Sequence, residues 1–141
     1  MSIVNPWLPG AKVLDLFAGS GALGLEALSR GAAHVDFVEL APASLATLRA
    51  NAESLGAGSA AVIHRADALR FVERLAPHSY DVAFADPPYD HQQAAQLAEQ
   101  WLQRPFSDVL GIEHAARETL PGDGDRRRYG NTTITFYWTD R

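Results

Sequence analysis

The sequence predicts an α/β domain whose mostly parallel central sheet ends in an antiparallel C-terminal hairpin. Three observations predict it. Short apolar runs alternate with helical segments, which reads as repeated βα units. A small-residue loop, Ala18–Gly21, follows the first such run and opens a helix. The last two runs flank Gly130-Asn131 with β-branched and aromatic residues, as an antiparallel hairpin requires.

Taken in order, Lys12–Phe17 is the first expected strand, entered from the turn Leu8-Pro9-Gly10. A helix over Ala22–Arg30 should stop at Gly31, a residue suited to the left-handed end of a helix. Val35–Val38 reads as strand two, and Pro42 then opens a helix that runs to about Leu55. Ala60–His64 is the third expected strand, with a short helix near Ala68–Leu75 after it. Tyr80–Ala85 is the fourth strand and ends against Asp86-Pro87-Pro88-Tyr89. His91–Gln103 is helical in pattern, with Ala94, Ala95, Leu97, Ala98, Trp101 and Leu102 on one apolar face. Val109–His114 is the fifth strand, and Arg126–Tyr129 with Thr132–Trp138 make the hairpin.

At 141 residues the chain fits a single domain spanning residues 1–141. A hydrophobic fraction of 47% beside 21% charged residues is that of an ordinary globular protein. No apolar run approaches the roughly 20 residues of a membrane helix, so no membrane partner is expected. Met1–Gly10 lacks a basic start followed by an apolar block, so no secretory signal is expected. The chain has no cysteine, which removes disulfides and thiolate chemistry and suits a cytoplasmic setting. A net charge of −5 argues against a broad nucleic-acid surface. Yet 11 of the 12 basic residues are Arg, and Arg126, Arg127 and Arg128 adjoin. They make either a local phosphate-binding patch or a solvated strand. The histidines His34, His64, His78, His91 and His114 are scattered without metal-ligand spacing and read as surface or packing residues. Trp7, Trp101 and Trp138 read as core or interface residues.

Two motifs carry the chemistry. Gly19-Ser20-Gly21-Ala22-Leu23-Gly24 matches G-x-G-x-x-G between a strand and a helix, where glycines permit a sharp turn and a close backbone approach to a ligand. Glu39 ends strand two, 24 residues after Asp15, where an acidic side chain reaches the hydroxyls of a ribose. That pair fits a dinucleotide or S-adenosylmethionine. Asp15, inside the first strand, leans towards the latter, because a carboxylate suits a methionine ammonium group better than a pyrophosphate. Asp67-Ala68 follows strand three; Asp67 is placed either to meet an adenine amino group or to cap the next helix.

The second motif, Asp86-Pro87-Pro88-Tyr89, lies at the carboxyl end of a strand, where open α/β sheets place their sites. Two prolines stiffen the backbone and remove two N–H donors. A carboxylate, a fixed Pro87 carbonyl and an aromatic ring remain. Asp86 and the carbonyl can each accept a hydrogen from an exocyclic amino group while Tyr89 stacks on the base. Such a nitrogen is a poor nucleophile because its lone pair is delocalised, and two acceptors turn that pair towards an incoming methyl. Positioning at about 3 Å supplies several kcal/mol of the barrier, and Asp86 is also the candidate acceptor of the departing proton.

The run Asp15–Ala32, then Phe37-Val38-Glu39, Asn51, Ala66-Asp67-Ala68 and Asp86–Tyr89 in the same order, resembles the RsmD family of bacterial ribosomal RNA guanine-N2 methyltransferases. The resemblance covers roughly residues 10–115, and the hairpin more loosely. It implies a Rossmann-like S-adenosylmethionine-dependent methyltransferase fold. It implies that Ala18, Gly19, Ser20 and Gly21 line the methionine part of the donor, and that Glu39 holds the ribose. Asp67 and Ala68 would flank the adenine, and Asp86, Pro87, Pro88 and Tyr89 would receive the guanine. The implied partner is ribosomal RNA or the assembling small subunit, met by a monomer. Family members carry a basic stretch of a few dozen residues ahead of the first strand, which is expected to be missing here. The other readings are adenine-N6 methylation of DNA or RNA, a donor-binding remnant without turnover, and a nicotinamide-dependent oxidoreductase. The last leaves Asp86–Tyr89 without a role.

Overall fold

The computed structural model describes residues 3–89 and 92–139. Eleven regular elements alternate as predicted: β1 (Lys12–Leu16), α1 (Ala22–Ser29), β2 (His34–Glu39), α2 (Pro42–Ser54), β3 (Ala61–Arg65), α3 (Ala68–Glu73), β4 (Tyr80–Ala85), α4 (Gln93–Gln103), β5 (Ser107–His114), β6 (Asp125–Tyr129) and β7 (Thr132–Trp138). Short 3₁₀ turns at Asn5–Trp7 and Gly58–Ala60 add to them. The first strand stops one residue before its predicted end, because Phe17 takes a left-handed backbone (φ 53°) that turns the chain into the glycine loop. The expected start of the fourth helix at His91 lies outside the described residues.

One sheet of seven strands runs in the order β3-β2-β1-β4-β5-β7-β6. Pairing is parallel from β3 to β5, and β7 runs antiparallel to both β5 and β6. The mostly parallel sheet with an antiparallel hairpin is therefore what the chain forms. The order reverses between β1 and β4, so the loops leaving those two strands diverge and open a crevice at their carboxyl ends.

Strand alternation sends successive side chains to opposite faces. Val13, Phe37, Val82, Phe84, Val109 and Phe136 face one layer, closed by α1, Leu48 of α2, and Val4 and Leu8 of the N-terminal turn. Leu14, Leu16, Val38, Ala83, Leu110 and Ile112 face the other, under α3 and α4, where Ala94, Leu97, Ala98 and Trp101 of the predicted apolar face are buried, Ala95 is partly buried beside them and Leu102 turns out to be exposed. Trp101 is buried and its indole N–H donates to the Ser107 carbonyl at 3.0 Å. Among the described residues no helix is long and apolar enough to cross a membrane.

A polar cluster crosses the sheet from the start of β4 to the second half of β3. Asp36, nearly buried, accepts the Tyr80 hydroxyl at 2.7 Å and sits 3.0 Å from Nε2 of both His34 and His64. Burial opposes its charge, yet the bonds from Tyr80, His64 and His34 outweigh that and hold its carboxyl below the usual carboxylate range. Two of the scattered histidines thus share one carboxylate. The three adjoining arginines lie exposed on the edge strand β6: Arg126 donates to the carbonyls of Glu118 and Ala116, Arg127 pairs with Asp125, and Arg128 donates to the Gly130 carbonyl.

Candidate active site

The glycine loop is shaped by its neighbours on both sides. The Ala18 N–H donates to the Val38 carbonyl at 3.0 Å, and the Gly21 N–H closes a turn on the Ala18 carbonyl at 2.9 Å. Asn51 of α2 donates to the Ser20 carbonyl at 3.0 Å, tying the loop to a second helix. Gly21 has φ 82°, and a Cβ there would also run into Leu48. Gly24 faces packing alone: a Cβ would collide with Phe37 and lie 2.9 Å from Val35. Both glycines let α1 sit close against β2, the packing role expected of the last glycine in such a loop.

Glu39 closes the loop from the end of β2. Its Oε1 accepts the Gly19 N–H at 2.7 Å, and its Oε2 accepts those of Leu40 and Ala41 at 2.8 Å each. A carboxylate offers about four acceptor directions, so the three bonds fix its orientation and leave one on Oε1. Asp15 sits deeper. It is 2% exposed, and its Oδ2 accepts the Gly24 N–H at 3.0 Å. Burial, with lesser contributions from Asp86 and Glu39, pushes its carboxyl up to about 8 against the lowering effect of the Gly24 bond. Asp15 is thus a buried acid that pins the first turn of α1.

A cleft of about 440 Å³ opens beside Glu39, within the size range of small-molecule sites. Phe17, Val38 and Leu40 give it apolar walls, Asp67 and Ala68 bound it beyond β3, and Pro88 reaches it from the end of β4. Asp67 also accepts the Arg70 N–H at 3.2 Å through Oδ1. Asp67 therefore caps α3, as one of its two readings expected, and the same residue borders the cleft. Ala18, Gly19, Ser20 and Gly21 stand next to this cleft in the loop that Glu39 holds, without lining it themselves.

Asp86–Tyr89 leaves β4 at the switch point. The Asp86 N–H approaches the Leu16 carbonyl at 3.4 Å, so its backbone prolongs the β1–β4 ladder. Pro87 is buried, whereas Asp86, Pro88 and Tyr89 are exposed. The loop thus shows solvent a carboxylate and a ring on a rigid base. A residue the motifs did not reveal joins them. Glu113 of β5 is hydrogen-bonded to the Asp86 carboxyl, and its Oε2 accepts the Tyr89 hydroxyl at 3.2 Å. Partial burial of Asp86, then the like charge and hydrogen bond of Glu113, push the Asp86 carboxyl up to about 6. The only sequence signal for Glu113 was an acidic residue near the carboxyl end of an otherwise apolar strand.

Comparison with known proteins bears on the family and the fold. The model of the family described as "Conserved hypothetical protein 95" matches residues 1–138. "Putative rRNA methyltransferase YlbH" of Bacillus subtilis is 32% identical over 147 positions, covering 96% of this chain and 80% of its own length. "Ribosomal RNA small subunit methyltransferase D" of Buchnera aphidicola is 36% identical over 83% of this chain and 62% of its own. The solved structure of "Putative methyltransferase yhhF" from Escherichia coli superposes with a TM-score of 0.81 at 28% identity, covering 97% of this chain and 80% of that one. The sheet is thus of the Rossmann-like methyltransferase kind. A family match over nearly the whole length, with relatives above 30% identity, makes the conclusion plain: this chain belongs to the RsmD family.

Proposed function

We propose that the chain is an S-adenosylmethionine-dependent methyltransferase acting on the exocyclic N2 amino group of a guanine in small-subunit ribosomal RNA. One observation carries the reading: a single cleft is lined by Glu39, Asp67 and Ala68 on one side and by Pro88 of the Asp86–Tyr89 loop on the other. A ligand anchored at Glu39 would end beside the loop that holds the carboxylate and the ring. The names of the relatives support ribosomal RNA as the substrate.

The residues present fit the donor. Glu39 keeps one acceptor direction for a ribose hydroxyl, and rotation of its carboxyl away from Gly19 frees a second. Phe17 and Leu40 offer apolar faces to an adenine ring, and Asp67 keeps an oxygen for its amino group. The loop Ala18–Gly21 flanks the methionine end. Bound there, the donor supplies an electrophilic methyl on a sulfonium.

The chain's own residues do the rest. The Asp86 carboxylate and the Pro87 carbonyl each accept one hydrogen of the target amino group, turning its lone pair towards the methyl. Pro88 stiffens that carbonyl, and Tyr89 stacks on the base, worth roughly 1–3 kcal/mol. As the new N–C bond forms, the nitrogen sheds a proton that the Asp86 carboxylate takes. Asp15 acts through the loop, by holding α1. The edge arginines Arg126, Arg127 and Arg128 remain the candidate contact to RNA phosphates outside the site.

The test is to incubate the chain with isotopically labelled donor and unmethylated small-subunit RNA, free and assembled into particles, and to digest the product to nucleosides. N2-methylguanosine in the mass spectrum is the expected outcome. Label on N6 of adenosine would move the substrate to the other amino base, and no transfer alongside intact donor binding would leave a binding protein.

A further inference from the structure

The proposed reaction, on which this inference rests, leaves Glu113 without a part. Its position is deliberate in physical terms. On β5 positions 109, 111 and 113 share one face: Val109 lies in the apolar layer, Gly111 leaves room for the Phe136 ring of β7, and Glu113 follows. Glu113 is the residue of that row that reaches the carboxyl end, next to β4 and so next to Asp86. There it borders a small apolar hollow of about 60 Å³ together with Leu23, Ala85 and Ile134. A carboxylate at an apolar rim, already joined to Asp86 and to the Tyr89 hydroxyl, is costly unless it meets donors.

The amino-bearing bases differ in what flanks the reactive nitrogen. Beside the N6 amino group of adenine lie N1 and N7, both acceptors. Beside the N4 amino group of cytosine lies N3, again an acceptor. Beside the N2 amino group of guanine lie N3, an acceptor, and N1–H, a donor that neither of the other two bases has next to its amino group. A carboxylate oxygen that accepts beside the amino acceptor Asp86 therefore suits guanine and opposes the other two. The Tyr89 hydroxyl occupies Oε2 of Glu113, and the bond between the Glu113 and Asp86 carboxyls is the one an incoming base with two adjacent donors would replace.

We infer that Glu113 is the specificity-determining residue of the site: it accepts the N1–H of guanine while Asp86 accepts an N2 hydrogen, so that the two carboxylates together read guanine's adjacent donors. Tyr89 then has two parts, its ring on the base and its hydroxyl on Glu113. Discrimination arises because an adenine presented to Asp86 sets a lone pair against the Glu113 carboxylate, an approach that leaves both buried and unsatisfied.

The experiment compares guanine with 2-aminopurine, which keeps the amino group and has an acceptor nitrogen in place of N1–H. The nucleotide methylated by the wild type is mapped in small-subunit RNA, and the same RNA is rebuilt with 2-aminopurine at that nucleotide. Wild-type kcat/KM should fall about tenfold to a hundredfold on the substituted RNA. In Glu113→Gln the amide oxygen takes the Tyr89 hydroxyl and the NH2 turns to the base, so activity on guanine falls by a similar factor and the preference reverses. Glu113→Ala should lose the preference without reversing it. Glu113 lines no part of the donor cleft, so calorimetric affinity for S-adenosylhomocysteine should stay at the wild-type value in both variants, which reports that they fold. If the wild type forms N2-methylguanosine and both variants keep its guanine-to-2-aminopurine ratio, the role of Glu113 is overturned and the proposed function stands. If the wild type places the methyl on another base or on none, both fall.

Discussion

At the scale of single residues, the account turns on two carboxylates held for different tasks. Glu39 is clamped by three backbone N–H groups, so its place in the loop is set by the backbone. Asp86 is the opposite: exposed, paired with Glu113 and pushed up to about 6. Asp86 serves as an acceptor only when ionised. Because its proton is held more tightly than in an ordinary carboxylic acid, it is still largely protonated at pH 5 and ionised by pH 7. Methyl transfer at saturating donor should therefore rise with pH through about 6, an apparent value belonging to the Asp86–Glu113 pair. Asp86→Ala should abolish transfer, with a rate loss of at least about a hundredfold for a missing acid–base group, and donor affinity should change little. A profile flat between pH 5 and 8, or a variant with near-normal turnover, would refute the role of Asp86.

At the scale of elements, the glycine loop works because α1 lies hard against β2. Gly24→Ala sets a methyl into Phe37 and Val35, both fully buried, where rotation offers no escape. Overpacking of this kind costs about 1–3 kcal/mol, read as a lower urea midpoint; an unchanged midpoint would mean that α1 shifts freely and that the loop is not set by packing. The strands and helices were legible in the sequence because each combines an apolar run with a local stop: Gly31 after α1, Pro42 at the start of α2, Asp86-Pro87 after β4. Their ends were less so. The left-handed Phe17 that stops β1 has no signal in a side chain built for strands, and the 3₁₀ turn Asn5–Trp7 takes its shape from the layer into which Val4 and Leu8 pack. Asp86–Tyr89, Glu39 and Asp67 were legible as candidates because rigid or acidic residues at strand ends stand out. Glu113 was not. Only the β4–β5 pairing, a fact of topology, brings it to Asp86 from 27 residues away. Asp15 was visible as an acid near the loop, yet whether it faced a ligand or the core depended on the depth of the first turn of α1.

At the scale of the whole molecule, the sheet carries two polar groupings. The carboxyl ends of β1, β2 and β4 hold the cleft and the loop, while Asp36 gathers Tyr80, His34 and His64 across three strands. The second grouping ties β2, β3 and β4 together, and none of its four side chains lines the cleft, which suits stability better than chemistry. Asp36→Ala should destabilise by about 1–3 kcal/mol by leaving the Tyr80 hydroxyl without its acceptor, with little change in donor affinity. The folded Asp36 carboxyl lies below its ordinary value, so its contribution is present at neutral pH and is lost as the pH falls through that lowered value; the wild type and Asp36→Ala should therefore converge in stability in acid. Unfolding curves at pH 7 and at acid pH check this, and a difference that widens in acid would reverse the sign assigned to Asp36.

The central claim is that the cleft at Glu39 is built for a sulfonium donor lying towards the Asp86–Tyr89 loop, and calorimetric titration with S-adenosylhomocysteine and, side by side, with a nicotinamide dinucleotide tests it most directly. The account predicts one S-adenosylhomocysteine per chain and no heat from the dinucleotide. It also predicts an affinity at least about tenfold weaker in Glu39→Ala, the loss of a charged hydrogen bond to the ribose. Binding of the dinucleotide in place of S-adenosylhomocysteine, or an affinity untouched in Glu39→Ala, would contradict it.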